Sequence, residues 1–254
     1  MNGHDIPPSR WIINLVGWAI GGSLAFGLTR FNATQTKLRV IAVAGAMLVA
    51  ASLTGPAQSG VHRWLAIGPL TINAAALALP AVVAAIACLP KADLVGLGSI
   101  GAIALVLVLQ PDASQSLAFS AAIMVAACWR DGRRGAWLAA VLSCLTAVAF
   151  LRSDPLQPVA EVEQIFTLGW QISPLLAIAM AAALTATAAS YLSHSGRPSA
   201  TRALAAYAAL AMLAPLYGWF PVPLAGSGMS FAIGLWLGVG VLGLMPLPEN
   251  PKSV

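Results

Sequence analysis

Charge is what this sequence has least of. Of its 254 residues only 8% are Asp, Glu, Lys or Arg, while 59% are hydrophobic; a soluble domain carries roughly 25% charged residues. With a mean hydropathy of +0.85, this scarcity excludes an ordinary water-soluble globule and points to a chain that crosses a membrane repeatedly. Cysteine and histidine are nearly as sparse, at three each. Cys88, Cys128 and Cys144 fall inside or at the ends of apolar segments, without the paired spacing of a zinc site or a disulfide framework, and read as packing residues. His4, His62 and His194 are too scattered to hold a metal, and no metal or cofactor is expected. The start, MNGHDIPPSR, lacks the basic, apolar and small-residue sequence of a signal peptide and is expected to remain in the mature protein. A net charge of +5 would suggest nucleic acid in a soluble chain. Here the basic residues sit in short loops between apolar runs, where they set membrane orientation instead.

What remains is a succession of apolar segments. A span needs about 20 mostly apolar residues, and nine stretches meet that measure approximately: 11–29, 38–55, 70–89, 94–110, 114–129, 135–151, 166–192, 200–217 and 229–246. The seventh is long enough to begin as an interfacial helix. The expected fold is all-α, a single polytopic transmembrane helical bundle over residues 1–254.

The loops test that count independently. Arg30, Lys37, Arg39, Lys91, Arg130, Arg133, Arg134, Arg197, Arg202 and Lys252 share one face, and only Arg10, Arg63 and Arg152 fall on the other. By the positive-inside rule the basic face is cytoplasmic, with the N-terminus outside and the C-terminus inside. The outer face collects Asp5, Asp112, Asp154, Glu161 and Glu163, five of the eight acidic residues. Its notable loops are the Gly60 loop, at the head of the stretch Gly60–Pro80 that feeds the third span, the Gln110-Pro111-Asp112 turn, the Arg152–Ile165 loop, and Tyr217–Gly228. The last, YGWFPVPLAGSG, reads as a re-entrant or broken segment whose backbone must be buried by protein. The Ala- and Gly-rich spans allow close helix packing.

Four pieces, in order, resemble the SEDS family (shape, elongation, division and sporulation). RWLAIGPLTINAAALALP resembles its RW motif followed by QPSE-x-x-K and an apolar helix. LVLQPDASQSLAF resembles its QPD-x-G-T turn, and VEQIFTLGWQISPL lies on the helix start written DFIFAV-x-x-EE. FPVPLAGSGMSFAIG resembles its final PLP-x-x-S-x-GGS motif. Nine spans with an outside N-terminus match a SEDS-like core lacking the first span. The resemblance implies polymerisation of lipid-linked disaccharides into glycan strands at the outer side of a bacterial cytoplasmic membrane, beside a single-span penicillin-binding protein.

The departures concern chemistry. Asn73-Ala74-Ala75-Ala76 stands where the family has Gln-Pro-Ser-Glu, and Leu79 where it has the following Lys. Charged groups in a membrane cavity are costly to keep and usually present for a function. Glu163 stands at the position of the family's catalytic Asp, its extra methylene displacing the carboxylate from a site built for Asp, and Gln171-Ile172 replaces a Glu pair. The final motif keeps Pro221, Pro223, Gly228 and Ser230 but departs at Gly226, Ser227 and Met229.

Taken singly, Arg63 and Trp64 read as an interfacial anchor pair, with a lipid headgroup or pyrophosphate as the functional alternative. Asp112 reads as a helix cap, Asp154 as the start of a turn, and Glu161 and Glu163 as solvated loop acids. The cluster Trp129–Arg134 reads as a cytoplasmic turn able to meet anionic lipid.

The expectation is a catalytically degenerate accessory subunit of an inner-membrane assembly. It would be surrounded by membrane lipids and joined to an integral membrane partner, a penicillin-binding protein or another envelope subunit, with no role in nucleic-acid binding. The alternatives are a minimal glycosyltransferase with Glu163 as base and Arg63 on phosphate, and a lipid or small-solute transporter.

Overall fold

A computed structural model describes residues 8–68, 70–128, 132–193 and 198–244. Asp5, His4, Trp129, Arg130, Asp131, His194, Arg197 and Lys252 lie outside the described residues, as do the side chains of Arg10, Arg133 and Arg134.

The chain is a polytopic helical bundle. Its helices are α1 (Pro8–Leu28), α2 (Gln35–Ala51), α3 (Ala74–Ile86), α4 (Leu94–Leu109), α5 (Ala113–Cys128), α6 (Gly132–Leu151), α7 (Ala160–Glu163), α8 (Ile165–Ile172), α9 (Pro174–Ser190), α10 (Pro198–Leu213) and α11 (Met229–Gly243). Gln35–Thr54, Pro174–Ser193 and Pro198–Leu216 are long and apolar enough to cross a membrane. Six further apolar helices of 10–17 residues stand among the described residues.

Polar caps decide where several of these helices begin. Thr34 accepts the Lys37 N–H before α2, Asn73 the Ala76 N–H before α3, and Asp93 the Gly96 N–H before α4. Asp112 accepts the Gln115 N–H at 3.2 Å before α5. Each satisfies a donor that the first turn leaves without a helical partner.

Two segments differ from a purely helical reading. Trp64–Ile67 (β1) and Leu70–Asn73 (β2) form an antiparallel hairpin that pairs Trp64 with Asn73 and Ile67 with Leu70. Gly68 turns it with φ of 58°, so the candidate segment 70–89 opens as a strand and becomes helical only after Asn73. The candidate 166–192 is two helices. Ser173 between them is extended, with φ −164° and ψ 127°, because Pro174 disfavours helical backbone in the residue before it.

α11 packs against both α1 and α3, while α10 packs on α5, α5 on α6, and α2 on α3 and α4. A Cβ on Gly234 of α11 would overlap the carbonyl oxygen of Ala76 in α3, so only glycine lets these two backbones meet. The core is filled by Leu79, Phe119, Ile103, Leu107, Leu204 and Tyr207, all fully buried. Tyr207 donates its hydroxyl hydrogen to Gln115 Oε1 at 2.5 Å. Between α5 and α6, Thr146 donates to Ser120 Oγ at 2.9 Å. Such interhelical polar bonds serve where burial alone does not drive association.

Candidate functional site

Four connecting segments converge at one end of the bundle, and Arg63 ties three of them together. Arg63 is only 6% exposed. Its Nε donates to the Gln110 carbonyl at 3.1 Å, and one Nη donates to the Pro111 carbonyl and to Asp154 Oδ2, each at 2.7 Å. Asp112 Oδ2 lies 3.7 Å from Nε. Planar guanidinium geometry suits this multiple engagement, which binds the hairpin, the 110–112 turn and the Arg152–Val159 stretch into one unit. Asp154 also accepts the Leu156 N–H at 3.2 Å, closing a turn through its own backbone.

The Tyr217–Gly228 segment covers this unit. The Val222 N–H donates to the Val162 carbonyl at 3.1 Å and the Ser227 N–H to the Glu161 carbonyl at 2.8 Å, which joins the segment to α7. Asn14 of α1 holds its far end: the amide donates to the Gly226 carbonyl at 2.9 Å and accepts the Gly228 N–H at 2.7 Å. Gly228, with φ of 152°, adopts a backbone that side chains rarely permit. Two residues on, Ser230 Oγ accepts the Asn73 N–H at 2.9 Å, so the start of α11 is bonded to the end of the hairpin.

Between these segments lies a cavity of 270 Å³. Its lining includes Arg63, Trp64, Asp112, Glu163, Pro221, Gly228 and Ser230 from the residues singled out in the sequence, together with Asn73, Gln115, Asp154 and Trp219. Gln110 and Pro111 lie behind it as acceptors for Arg63. Pro223 is buried in the covering segment without lining the cavity. Glu163 Oε2 accepts the Val159 N–H at 2.6 Å, a local cap on α7. Burial raises the Glu163 carboxyl above its ordinary value, and the negative charges of Asp154 and Glu161 push in the same direction.

Among the described residues, the lining carries one cation, Arg63, against three carboxylates, Asp112, Asp154 and Glu163. Its formal charge is therefore −2 when all are ionised. Among the described residues, no three of His, Cys, Asp and Glu are grouped to hold a metal ion. Ala76 and Leu79, which stand where the SEDS resemblance places Glu and Lys, are both 0% exposed in the apolar core and do not line the cavity.

Asn14, Gln115 and Tyr207 are the members of this end that the sequence reading passes over. Asn14 leaves a signal, as an isolated amide in an otherwise apolar run. The Gln115–Tyr207 pair leaves none, because its partners are 92 residues apart.

A membrane-type helical bundle with a polar cavity closed by loops at one end is the class this architecture defines. Its particular fold is that of the rod-shape-determining protein RodA. The crystal structure of a point variant of Thermus thermophilus RodA matches 94% of this chain and 88% of its own, at 20% identity and a TM-score of 0.59. The crystal structure of RodA without that substitution matches at 19% identity and a TM-score of 0.56, over 94% and 87% of the two chains. No protein-family model matches the sequence, and none of the curated proteins compared with it matches.

Proposed function

We propose that this chain is a SEDS-type protein of the bacterial cytoplasmic membrane, tied to cell-wall synthesis and acting as a non-catalytic subunit of an envelope assembly. It crosses the membrane nine times, with the cavity on the outer side and the basic loops in the cytoplasm. The RodA-like fold supports the family and the process. The observation that carries the non-catalytic role is the state of Arg63. The cavity's one basic side chain is already engaged by Asp154, Asp112 and two carbonyls. Among the described residues, a pyrophosphate-linked donor entering the cavity would meet three carboxylates and no free cation, an unfavourable electrostatic match. The apolar packing of Ala76 and Leu79 removes the charges that the resemblance would place beside it.

The partner in this reading is an integral membrane protein, with a single-span penicillin-binding protein as the first candidate. The test is gentle-detergent capture of the tagged chain from native membranes, followed by a glycan-polymerisation assay of the purified material with lipid-linked disaccharide. Stoichiometric recovery of an integral partner and no polymer from the chain alone are expected. Polymer that disappears in Glu163→Gln would overturn the non-catalytic role and establish the enzyme.

That enzymatic reading has one observation in its favour: Glu163 lines the cavity, where a carboxylate could act as a general base.

A further inference from the structure

At the opposite end of the bundle lies a second cavity, of 290 Å³, formed by the α3–α4 connection and by α4, α5 and α6. Its wall is apolar: Leu89, Ile100, Ile123 and Ala126 are buried there. An apolar cavity of about 150 Å³ is already enough to take up an apolar guest, and the inner wall of this one offers such a guest the same kind of contact. It opens at a rim where Leu94 is 82% exposed and Leu97 41% exposed, a surface suited to hydrocarbon.

The rim is also charged. Lys91 lines the cavity, is exposed, and has no ion-pair partner among the described residues. Asp93 beside it is occupied by Arg39, whose Nη2 and Nε both lie 2.7 Å from its carboxylate. Among the described residues, Lys91 and Arg39 against Asp93 leave the rim with a formal charge of +1. An apolar slot beside an ammonium that no described carboxylate pairs with has two ends, and the ligand that matches both is amphiphilic and anionic.

We infer that this cavity binds one acyl chain of an anionic phospholipid, whose headgroup phosphate is held by Lys91. The inference rests on the chain's lying in a bilayer and not on the chemistry of the cavity at the other end. A bilayer supplies both zwitterionic and anionic lipids, and Lys91 favours the anionic one by the attraction that basic residues exert at a membrane surface.

The test uses the full chain reconstituted in vesicles of equal parts phosphatidylglycerol and phosphatidylcholine, extracted gently, with retained lipid read by native mass spectrometry. The wild type is expected to retain phosphatidylglycerol about fivefold over phosphatidylcholine, the factor one basic side chain contributes. Lys91→Gln, a surface change that leaves the fold intact, is expected to abolish the preference while lipid is still retained. Ala126→Phe, which fills the slot, is expected to lose retention of both lipids. Equal retention of the two lipids by the wild type, or a preference that survives Lys91→Gln, would overturn the inference. So would undiminished retention in a folded Ala126→Phe variant. Where that variant does not fold, Lys91→Gln decides alone.

Discussion

Arg63 and Asp154, 91 residues apart in the chain, meet at 2.7 Å beneath the cavity. The pair is unequal. The Arg63 side chain is 7% exposed and that of Asp154 27%, and Arg63 holds two carbonyls and the vicinity of Asp112 besides. Removing one partner therefore differs from removing the other.

Arg63→Ala is expected to destabilise the fold by about 3–5 kcal/mol, because it strands the buried Asp112 and leaves two buried carbonyls without donors. Asp154→Asn keeps an acceptor and gives up only charge, with a loss of about 1 kcal/mol after screening by solvent. Thermal unfolding of both variants in a mild detergent measures the gap. Equal losses would mean that Arg63 acts through Asp154 alone.

Glycine in the α3–α11 contact is not interchangeable with glycine elsewhere. Gly234→Ala pushes a methyl group into the Ala76 carbonyl and is expected to lower the melting temperature sharply or prevent folding. Gly98→Ala, in α4, meets nothing within 4 Å and is expected to raise stability by about 0.5–1 kcal/mol through helix propensity alone. Detergent-solubilised yield and melting temperature, measured side by side, separate the two.

Asp93 supplies an acid-sensitive element at the Lys91 end. The hydrogen bond from Arg39 holds its carboxyl below the usual value, with further help from the Gly96 N–H. Its folded pKa is depressed, so its stabilisation is present above the unfolded value, near 3.9, and fades as pH falls through the folded one. In Asp93→Asn the decline in melting temperature on acidification below about pH 4 is expected to flatten. A decline as steep as that of the wild type would assign it to other carboxylates.

Glu163 has the opposite sign. Its carboxyl is raised by burial, so the ionised form is the disfavoured one in the folded protein. The penalty is absent below the unfolded value, near 4.3, and fully present above the folded one. Glu163→Gln keeps an acceptor for the Val159 N–H, since either side chain completes such a cap. It is therefore expected to leave the melting temperature unchanged or higher at pH 7, with no difference at pH 4. A lower melting temperature at pH 7 would show that the charge itself holds α7 in place.

The helical order of the chain is legible because its causes are local. Apolar runs of about a span's length are separated by short polar stretches, and Asp112 at one such boundary reads as a cap; Thr34, Asn73 and Asp93 cap their helices in the same way in the structure. The hairpin escapes that reading because each strand has only four residues, too few for alternation to stand out beside an apolar helix. At the site, the sequence picks out Arg63, Asp112 and Glu163 by type and the Tyr217–Gly228 segment by its prolines and glycines. It does not disclose that Arg63 is engaged, because the partners 47 and 91 residues away leave no periodic or neighbouring signature. Asp154 is recognisable as a turn residue and not as a counter-ion for the same reason.

The Asn14 clamp has a consequence for biogenesis. α1 leaves the ribosome long before α11, yet the two pack against each other. The two bonds from Asn14 fix a segment more than 200 residues downstream. During insertion α1 must therefore wait, its α11-facing side without that partner, until α11 arrives. Closure of the cavity then waits for the segment before α11. A ribosome stalled before α11 would leave a membrane-inserted chain whose cavity lacks its cover.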